Sequence, residues 1–164
     1  MPSVDFWILI SSLAERDVLM AVSLVLILYF LYKKEPKNAF LIAVIFYGGI
    51  ILNKILKEIF QVPRPTAALI PVDGYSFPSG HAMSAVIFYS LLVIIFYKKI
   101  ENNILKNSFV AVNILIIFLV GLSRIMLKVH SIYDVISGYV FGLLWLFIVY
   151  RVLEKTNLQG SLLH

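Results

Sequence analysis

Long apolar runs without charged residues recur along the sequence. Five such runs cover residues 18–32, 38–53, 82–97, 107–123 and 135–150. Each is slightly shorter than the roughly 20 residues that an α-helix needs to cross a bilayer. Because lysine and arginine side chains can reach back to the interface, each helix can extend into its polar flanks. The pattern predicts five transmembrane helices, at residues 16–33, 38–60, 79–98, 106–124 and 131–152.

A shorter apolar segment precedes these runs. Residues 6–14 are too few to cross a bilayer, and they contain Trp7 and are flanked by acidic residues. This composition favours an N-terminal helix that lies along the membrane interface, with a frayed terminus as the alternative. The acidic residues Asp5, Glu15 and Asp17 also make a cleaved signal peptide a poor interpretation.

The composition is that of an all-α integral membrane protein. Hydrophobic residues make up 61% of the 164 residues, and the mean hydropathy of +0.95 excludes a soluble globular domain. The length suits one membrane-embedded domain over residues 1–164. The chain has no cysteine, which excludes disulfides and thiolate metal sites. We expect the protein to be embedded in the bilayer, to bind no nucleic acid and to need no obligate protein partner.

The cations are divided unevenly between the two sides of the predicted bundle. With five spans, one side holds eight of them: Lys33, Lys34, Lys37, Lys98, Lys99, Lys106, Arg151 and Lys155. The opposite side carries a polar cluster at the helix ends, and outside that cluster its only cation is Arg16. The positive-inside rule therefore predicts that the basic loops are cytoplasmic and that the cluster lies outside.

This cluster combines residues from the ends of four predicted helices. Lys57 and Arg64 follow the second span, residues 78–81 open the third, and residues 123–134 join the fourth to the fifth. Such a density of cations at a bilayer edge calls for an anion. Arginine presents a planar fork that matches two phosphate oxygens, and lysine acts as a point charge. The pattern predicts a phosphate site that includes Lys57, Arg64 and Arg124.

The start of the third span can add neutral donors to that site. Ser79 can cap a helix that begins there, and Gly80 allows an oxyanion to approach the free amide groups closely. The helix dipole also favours negative charge at this position. Lys54 either pairs with Glu58 or contacts the substrate, and Lys128 is either an interfacial anchor or a further phosphate contact.

Two histidines in the cluster suggest a division of catalytic roles. His130 and Asp134 are four residues apart and share one face if the segment is helical, so the carboxylate can fix the imidazole tautomer. We therefore expect His130 to be the nucleophile that forms a phosphohistidine, and His81 to be the general acid. This chemistry needs no metal or cofactor; a metal bound by the two histidines and Asp134 is the alternative.

The motifs and their spacing resemble a known signature. Lys57-x6-Arg64-Pro65, Pro78-Ser79-Gly80-His81 and Ser123-Arg124-x5-His130-x3-Asp134 are similar to the three motifs of the type-2 phosphatidic acid phosphatase superfamily. This superfamily includes membrane lipid phosphatases and soluble vanadium-dependent haloperoxidases, and the apolar spans favour the membrane branch. The resemblance implies roles for eight residues. The phosphate-binding residues would be Lys57, Arg64, Ser79, Gly80 and Arg124, and the catalytic residues His81 as acid, His130 as nucleophile and Asp134 as its partner.

The expected function is therefore that of a metal-independent lipid phosphate phosphatase of the bacterial inner membrane, with its active site on the periplasmic side. The expected substrates are cell-envelope lipids that carry a phosphomonoester or a terminal diphosphate: phosphatidylglycerol phosphate, undecaprenyl diphosphate, lipid A phosphate or phosphatidate. The alternative is a non-enzymatic proton-coupled transporter or an anion-binding membrane subunit. That alternative requires charged residues near the bilayer centre, where the predicted spans have none.

Overall fold

The computed structural model describes residues 3–155, and this range contains helices, turns and loops but no β-strand. The all-α prediction is confirmed. We number the helices α1 (Val4–Ser12), α2 (Arg16–Tyr32), α3 (Pro36–Phe60), α4 (Gly80–Phe96), α5 (Asn103–Met126) and α6 (Ile132–Lys155). Helix α3 contains a π-helical stretch at Ala43–Tyr47, and α4 continues into a 3₁₀ turn at Tyr97–Lys99.

Four of these helices are long and apolar enough to cross a membrane. The candidate spans are Pro36–Phe60, Gly80–Lys99, Asn103–Met126 and Ile132–Val152. They correspond to the second to fifth predicted spans. Helix α2 has 17 residues and reaches only about 26 Å, against a hydrocarbon core about 30 Å thick. Its crossing of the bilayer stays a prediction.

Helix α4 lies at the centre of the bundle. It contacts α2, α3, α5 and α6, and eight of its residues are buried. A helix that is apolar on all sides is suited to such a position. Gly138 and Gly142 of α6 allow that helix to approach α4 closely, because an added Cβ at either position would lie within 2.7 Å of an α4 or Ser79 atom. The N-terminal halves of α4 and α6 are thereby held together.

The two basic turns lie at the same end of the bundle, as predicted. Glu35, between α2 and α3, forms an ion pair with Lys99 at the end of α4, with a distance of 2.8 Å between Oε2 and Nζ. The end of α3, the start of α4, the end of α5 and the start of α6 therefore meet at the opposite end. This is the end that carries the predicted site.

Helix α1 packs against α5 at the site end, so the interpretation of this segment as a frayed terminus is wrong. Ser3 caps the helix by accepting a hydrogen bond from the Phe6 amide at 3.3 Å. Trp7 is buried with Leu127 and Val129, which follow α5. That α1 also lies in a membrane interface stays a prediction.

Candidate active site

A cavity of about 690 Å³ opens at this end of the bundle. Its walls come from α1, the α1–α2 turn, α3, the loop 61–79, the start of α4, the end of α5 and the α5–α6 turn. The lining residues with cationic or imidazole side chains are Arg16, Lys54, Lys57, Arg64, His81, Arg124 and His130. The two acidic side chains in the lining are Glu15 and Asp73. The fold thus brings the predicted histidines and cations to one cavity.

His130 lies in the turn before α6 and is only 5% exposed. Its Nε2 is 3.4 Å from Nη1 of Arg64, and its Nδ1 is 3.6 Å from Oδ2 of Asp134. The second distance is too long for a hydrogen bond, and Nδ1 has no hydrogen-bond partner within the part of the chain that the structure describes. Asp134 is next to the imidazole as predicted, but the expected hydrogen bond between them is not made in this structure.

The Asp134 carboxylate is instead part of a capping box at the start of α6. It accepts a hydrogen bond from the Ser131 amide at 2.7 Å, while the Ser131 hydroxyl accepts one from the Asp134 amide at 3.2 Å. The same oxygen, Oδ2 of Asp134, thus accepts the capping hydrogen bond and is the carboxylate atom that lies 3.6 Å from Nδ1 of His130.

The environment of His130 keeps its imidazole neutral. Burial above all, and then the positive charges of Arg64, Arg124 and Lys57, lower the pKa of His130 to about 2, with a smaller effect from His81 in the same direction. A neutral imidazole retains the lone pair that a nucleophile needs. Since Nδ1 faces Asp134, Nε2 is the nitrogen beside the cations.

The loop 61–79 wraps around two of the cations. It begins where Gln61 adopts a left-handed conformation (φ 46°) and ends α3, its amide donating to the Lys57 carbonyl at 2.9 Å. Arg64 donates to the carbonyls of Asp73, Gly74 and Val129 at 2.9–3.2 Å. These acceptors are uncharged, so they orient the guanidinium without cancelling its positive charge.

Lys57 and Arg124 are held in the same manner by neutral oxygens. The Lys57 ammonium donates to the backbone carbonyls of Tyr75 and Ser76 in the loop. Arg124 is 4% exposed, and its guanidinium donates to the hydroxyl of Ser11 in α1. Five cationic side chains, Arg16, Lys54, Lys57, Arg64 and Arg124, thus line the cavity with two acidic ones, a balance that favours an anion.

The start of α4 is anchored to α6. The Ser79 amide donates to the Asp134 carbonyl at 2.9 Å. Ser79 occupies the N-cap position, but its side chain makes no capping bond and its buried hydroxyl has no partner among the described residues. The prediction that Ser79 caps α4 with its side chain is therefore wrong. Gly80 lines the cavity, and a Cβ there would lie 3.2 Å from Oδ1 of Asn53.

His81 contacts an acidic side chain that is distant from it in the sequence. Its Nε2 is 3.1 Å from Oε2 of Glu15, which lies 66 residues earlier in the turn between α1 and α2. The side chain of His81 is 20% exposed and that of Glu15 is 51% exposed. No local spacing could indicate this pair.

Comparisons with known proteins agree with this arrangement. The family model described as the PAP2 superfamily matches residues 37–158. The chain belongs to the PAP2 superfamily. This confirms the resemblance identified from the three motifs.

Two curated PAP2 relatives are similar over most of this chain. Phosphatidylglycerophosphatase B of Bacillus subtilis is 34% identical over 129 residues, which are 77% of this chain and 63% of that protein. Sphingosine-1-phosphate phosphatase 1 of Rattus norvegicus is 27% identical over 137 residues, which are 77% of this chain and 30% of that protein. The chain thus spans less than two thirds of the length of either relative.

A solved PAP2 structure is also similar. The crystal structure of a transmembrane PAP2-type phosphatidylglycerolphosphate phosphatase from Bacillus subtilis matches with a TM-score of 0.83 and 31% identity. The match covers 93% of this chain and 77% of that one. The similarity therefore extends beyond the motifs to the helical bundle as a whole, and this PAP2 chain is a multi-pass membrane protein.

The structure separates the two lysines whose roles the sequence leaves open. Lys54 lines the cavity of this PAP2 protein. Lys128 is exposed, adopts a left-handed conformation (φ 54°) in the turn after α5, and does not line the cavity. Lys54 is therefore placed to contact a substrate, and Lys128 is not.

The alternative metal site is not assembled in this PAP2 fold. Residues 3–155 contain no group of three or more histidine, cysteine, aspartate or glutamate side chains arranged to hold a metal ion. The Asp134 carboxylate faces Nδ1 of His130, while His81 faces Glu15. That the reaction needs no cofactor stays a prediction.

Proposed function

We propose that this protein is a lipid phosphate phosphatase acting at the membrane surface. The observation that carries the proposal is the cavity itself, where a neutral, buried imidazole lies within 3.4 Å of a guanidinium and a second imidazole lines the same space. Membership of the PAP2 superfamily and the names of the relatives support it. A phosphate held by the cations would have one imidazole available for attack and another for proton transfer.

The proposed reaction has two steps. His130 Nε2 attacks phosphorus, a P–N bond forms, the P–O bond to the lipid breaks, and His81 protonates the departing alkoxide. A water molecule then attacks the phosphohistidine, His81 takes its proton, and the P–N bond breaks to release phosphate. Lys57, Arg64 and Arg124 would stabilise the charge on the phosphoryl oxygens, together with the amides at the start of α4.

Among the candidate substrates we favour a phosphomonoester, and phosphatidylglycerol phosphate in particular. The Bacillus relative and the similar crystal structure are both named for phosphatidylglycerophosphate, and the rat relative is named for another lipid phosphomonoester. Phosphatidate, undecaprenyl diphosphate and lipid A phosphate remain the competing substrates. All four place a phosphate near a membrane interface while the apolar tail stays in the bilayer.

Phosphate release is the direct test of this proposal. With the purified protein in detergent and an excess of a metal chelator, we expect release from phosphatidylglycerol phosphate at a higher kcat/KM than from the other three lipids. The Lys128→Ala variant is the matched control and should retain full activity, because this side chain lies outside the cavity. No release from any of the four lipids would overturn the proposal, and phosphate flux into liposomes without hydrolysis would favour the transporter alternative.

We further propose that the protein lies in the bacterial inner membrane with the cavity on the periplasmic side. The basic turns lie at the end of the bundle opposite to the cavity, and positively charged loops favour the cytoplasm. A periplasmic site would give the enzyme access to lipids of the outer leaflet.

Cysteine labelling tests this orientation cleanly, because the chain has no cysteine of its own. Thr66 is exposed in the loop at the cavity end, and Lys98 is exposed at the opposite end. In right-side-out membrane vesicles, we expect a membrane-impermeant maleimide to label Thr66→Cys, and to label Lys98→Cys only after permeabilisation. The reverse pattern would show that the site faces the cytoplasm.

A further inference from the structure

Glu15 lies at the wall of the cavity although no catalytic motif contains it. It is the N-cap residue of α2, and its carboxylate makes no capping hydrogen bond to that helix. Instead, Oε2 lies 3.1 Å from Nε2 of His81. The carboxylate therefore contacts one of the two imidazoles that line the cavity.

Packing fixes the turn that carries Glu15. Ala14 is 1% exposed, and the hydroxyl of Tyr89, about two turns along α4 from His81, donates to the Leu13 carbonyl at 2.7 Å. On the other side of the turn, the Glu15 carbonyl accepts a hydrogen bond from the Leu19 amide at 2.9 Å. The backbone of the turn is thus tied both to α4 and to α2, which fixes the position from which the Glu15 side chain reaches His81.

We infer that Glu15 is a positioning residue for His81, which it holds in the orientation and tautomer that proton transfer to the leaving group requires. The inference rests on the proposed function. A carboxylate that accepts a hydrogen bond from Nε2 keeps a hydrogen on that nitrogen in both protonation states of the ring. Nδ1 is then the nitrogen that gives a proton to the departing alkoxide and takes one from the attacking water.

The charges around His81 give the carboxylate a second effect. Arg124 from α5 and Arg64 from the loop line the same cavity as His81, and positive charges nearby disfavour the imidazolium that a general acid must be. Glu15 is the acidic side chain in contact with the ring, and it stabilises that positively charged form. Its negative charge opposes the positive charges of the two guanidinium groups.

The leaving group offers a selective test of this role. The alkoxide of a lipid phosphomonoester needs a proton as it departs, whereas p-nitrophenolate departs well without one. For Glu15→Gln we expect kcat for the lipid to fall at least about tenfold, with KM changed less than about threefold. For p-nitrophenyl phosphate we expect kcat to fall less than about threefold. The ratio of the two rates is measured on one protein sample, so it does not depend on the folded fraction.

Two further variants complete the experiment. Asp17→Asn is the matched control, because Asp17 is an acidic residue two positions after Glu15, in the first turn of α2, whose side chain is 89% exposed and does not line the cavity. It should leave both rates unchanged. Combining Glu15→Gln with His81→Ala should cost no more than His81→Ala alone, because Glu15 acts through His81.

Several results would overturn the inference while leaving the proposed function intact. They are full activity of Glu15→Gln, increased activity, an equal loss on both substrates, and a double variant much less active than His81→Ala. A wild-type protein that releases no phosphate from any lipid would instead overturn the proposed function. The two failures are therefore distinguishable.

Discussion

Replacing His130 by alanine is expected to lower kcat for phosphate release by more than about 10⁴-fold, because removal of a catalytic nucleophile leaves only the residual effect of binding. The buried Nε2 beside Arg64 is the atom that would form the covalent bond. Wild-type protein mixed with radiolabelled substrate and denatured at alkaline pH should carry a phosphohistidine, and the His130→Ala protein should carry none. The measurements are steady-state phosphate release and the amount of protein-bound label.

The controls separate loss of the nucleophile from loss of the fold. Lys128→Ala changes an exposed residue two positions away and should keep both the turnover and the label. The His130→Ala protein should elute from size-exclusion chromatography as the wild type does. Turnover above a few per cent of wild type, or an undiminished label, would show that another residue is the nucleophile.

Replacing Gly138 by alanine is expected to lower kcat by about 100-fold, a loss that follows when catalytic groups are misplaced by about 1 Å. A Cβ at this position would lie 2.7 Å from the Ser79 carbonyl oxygen, 3.1 Å from Cβ of Ala82 and 3.2 Å from the Met83 amide nitrogen. Two of these atoms are backbone and none can rotate away, so α4 and α6 must separate. His81 on α4 would then move relative to His130, which precedes α6.

The same substitution should also destabilise the protein, since overpacking in a close contact costs about 1–3 kcal/mol. Thermal unfolding in detergent measures this effect, and phosphate release measures the activity. Val140→Ala is the matched control, because Val140 lies two residues further along α6 and is 48% exposed. Wild-type activity in Gly138→Ala would show that the separation of the two helices does not set the geometry of the site.

Local sequence was sufficient for much of the fold and for the members of the site. Four of the five charge-free runs coincide with candidate spans of the structure. The runs are informative because a helix needs about 20 apolar residues to cross a bilayer, independently of the helices that it packs against. Cations at helix ends and the spacing of the three motifs indicate the phosphate cluster, because each motif lies within one short segment. The cavity contains Lys57, Arg64, His81, Arg124 and His130, as expected.

The exact interactions of these residues were less predictable. The i, i+4 spacing places Asp134 beside His130, but the capping box with Ser131 uses the same carboxylate oxygen. Both interactions are compatible with the spacing, and the backbone conformation of the turn before α6 decides between them. In the same way, Ser79 has the right residue type for a side-chain cap but makes none.

What the sequence alone determined is therefore the helical membrane character, the end of the bundle that carries the chemistry and the identity of its motif residues. Only the tertiary structure decided that α1 forms a wall of the cavity, that Ser11 contacts Arg124, and that Glu15 contacts His81. The physical reason is that lipid-facing and helix-facing surfaces are both apolar in a membrane protein. Apolar patterning thus identifies each helix. Which helices become neighbours depends instead on close packing between surfaces whose residues are far apart in the sequence.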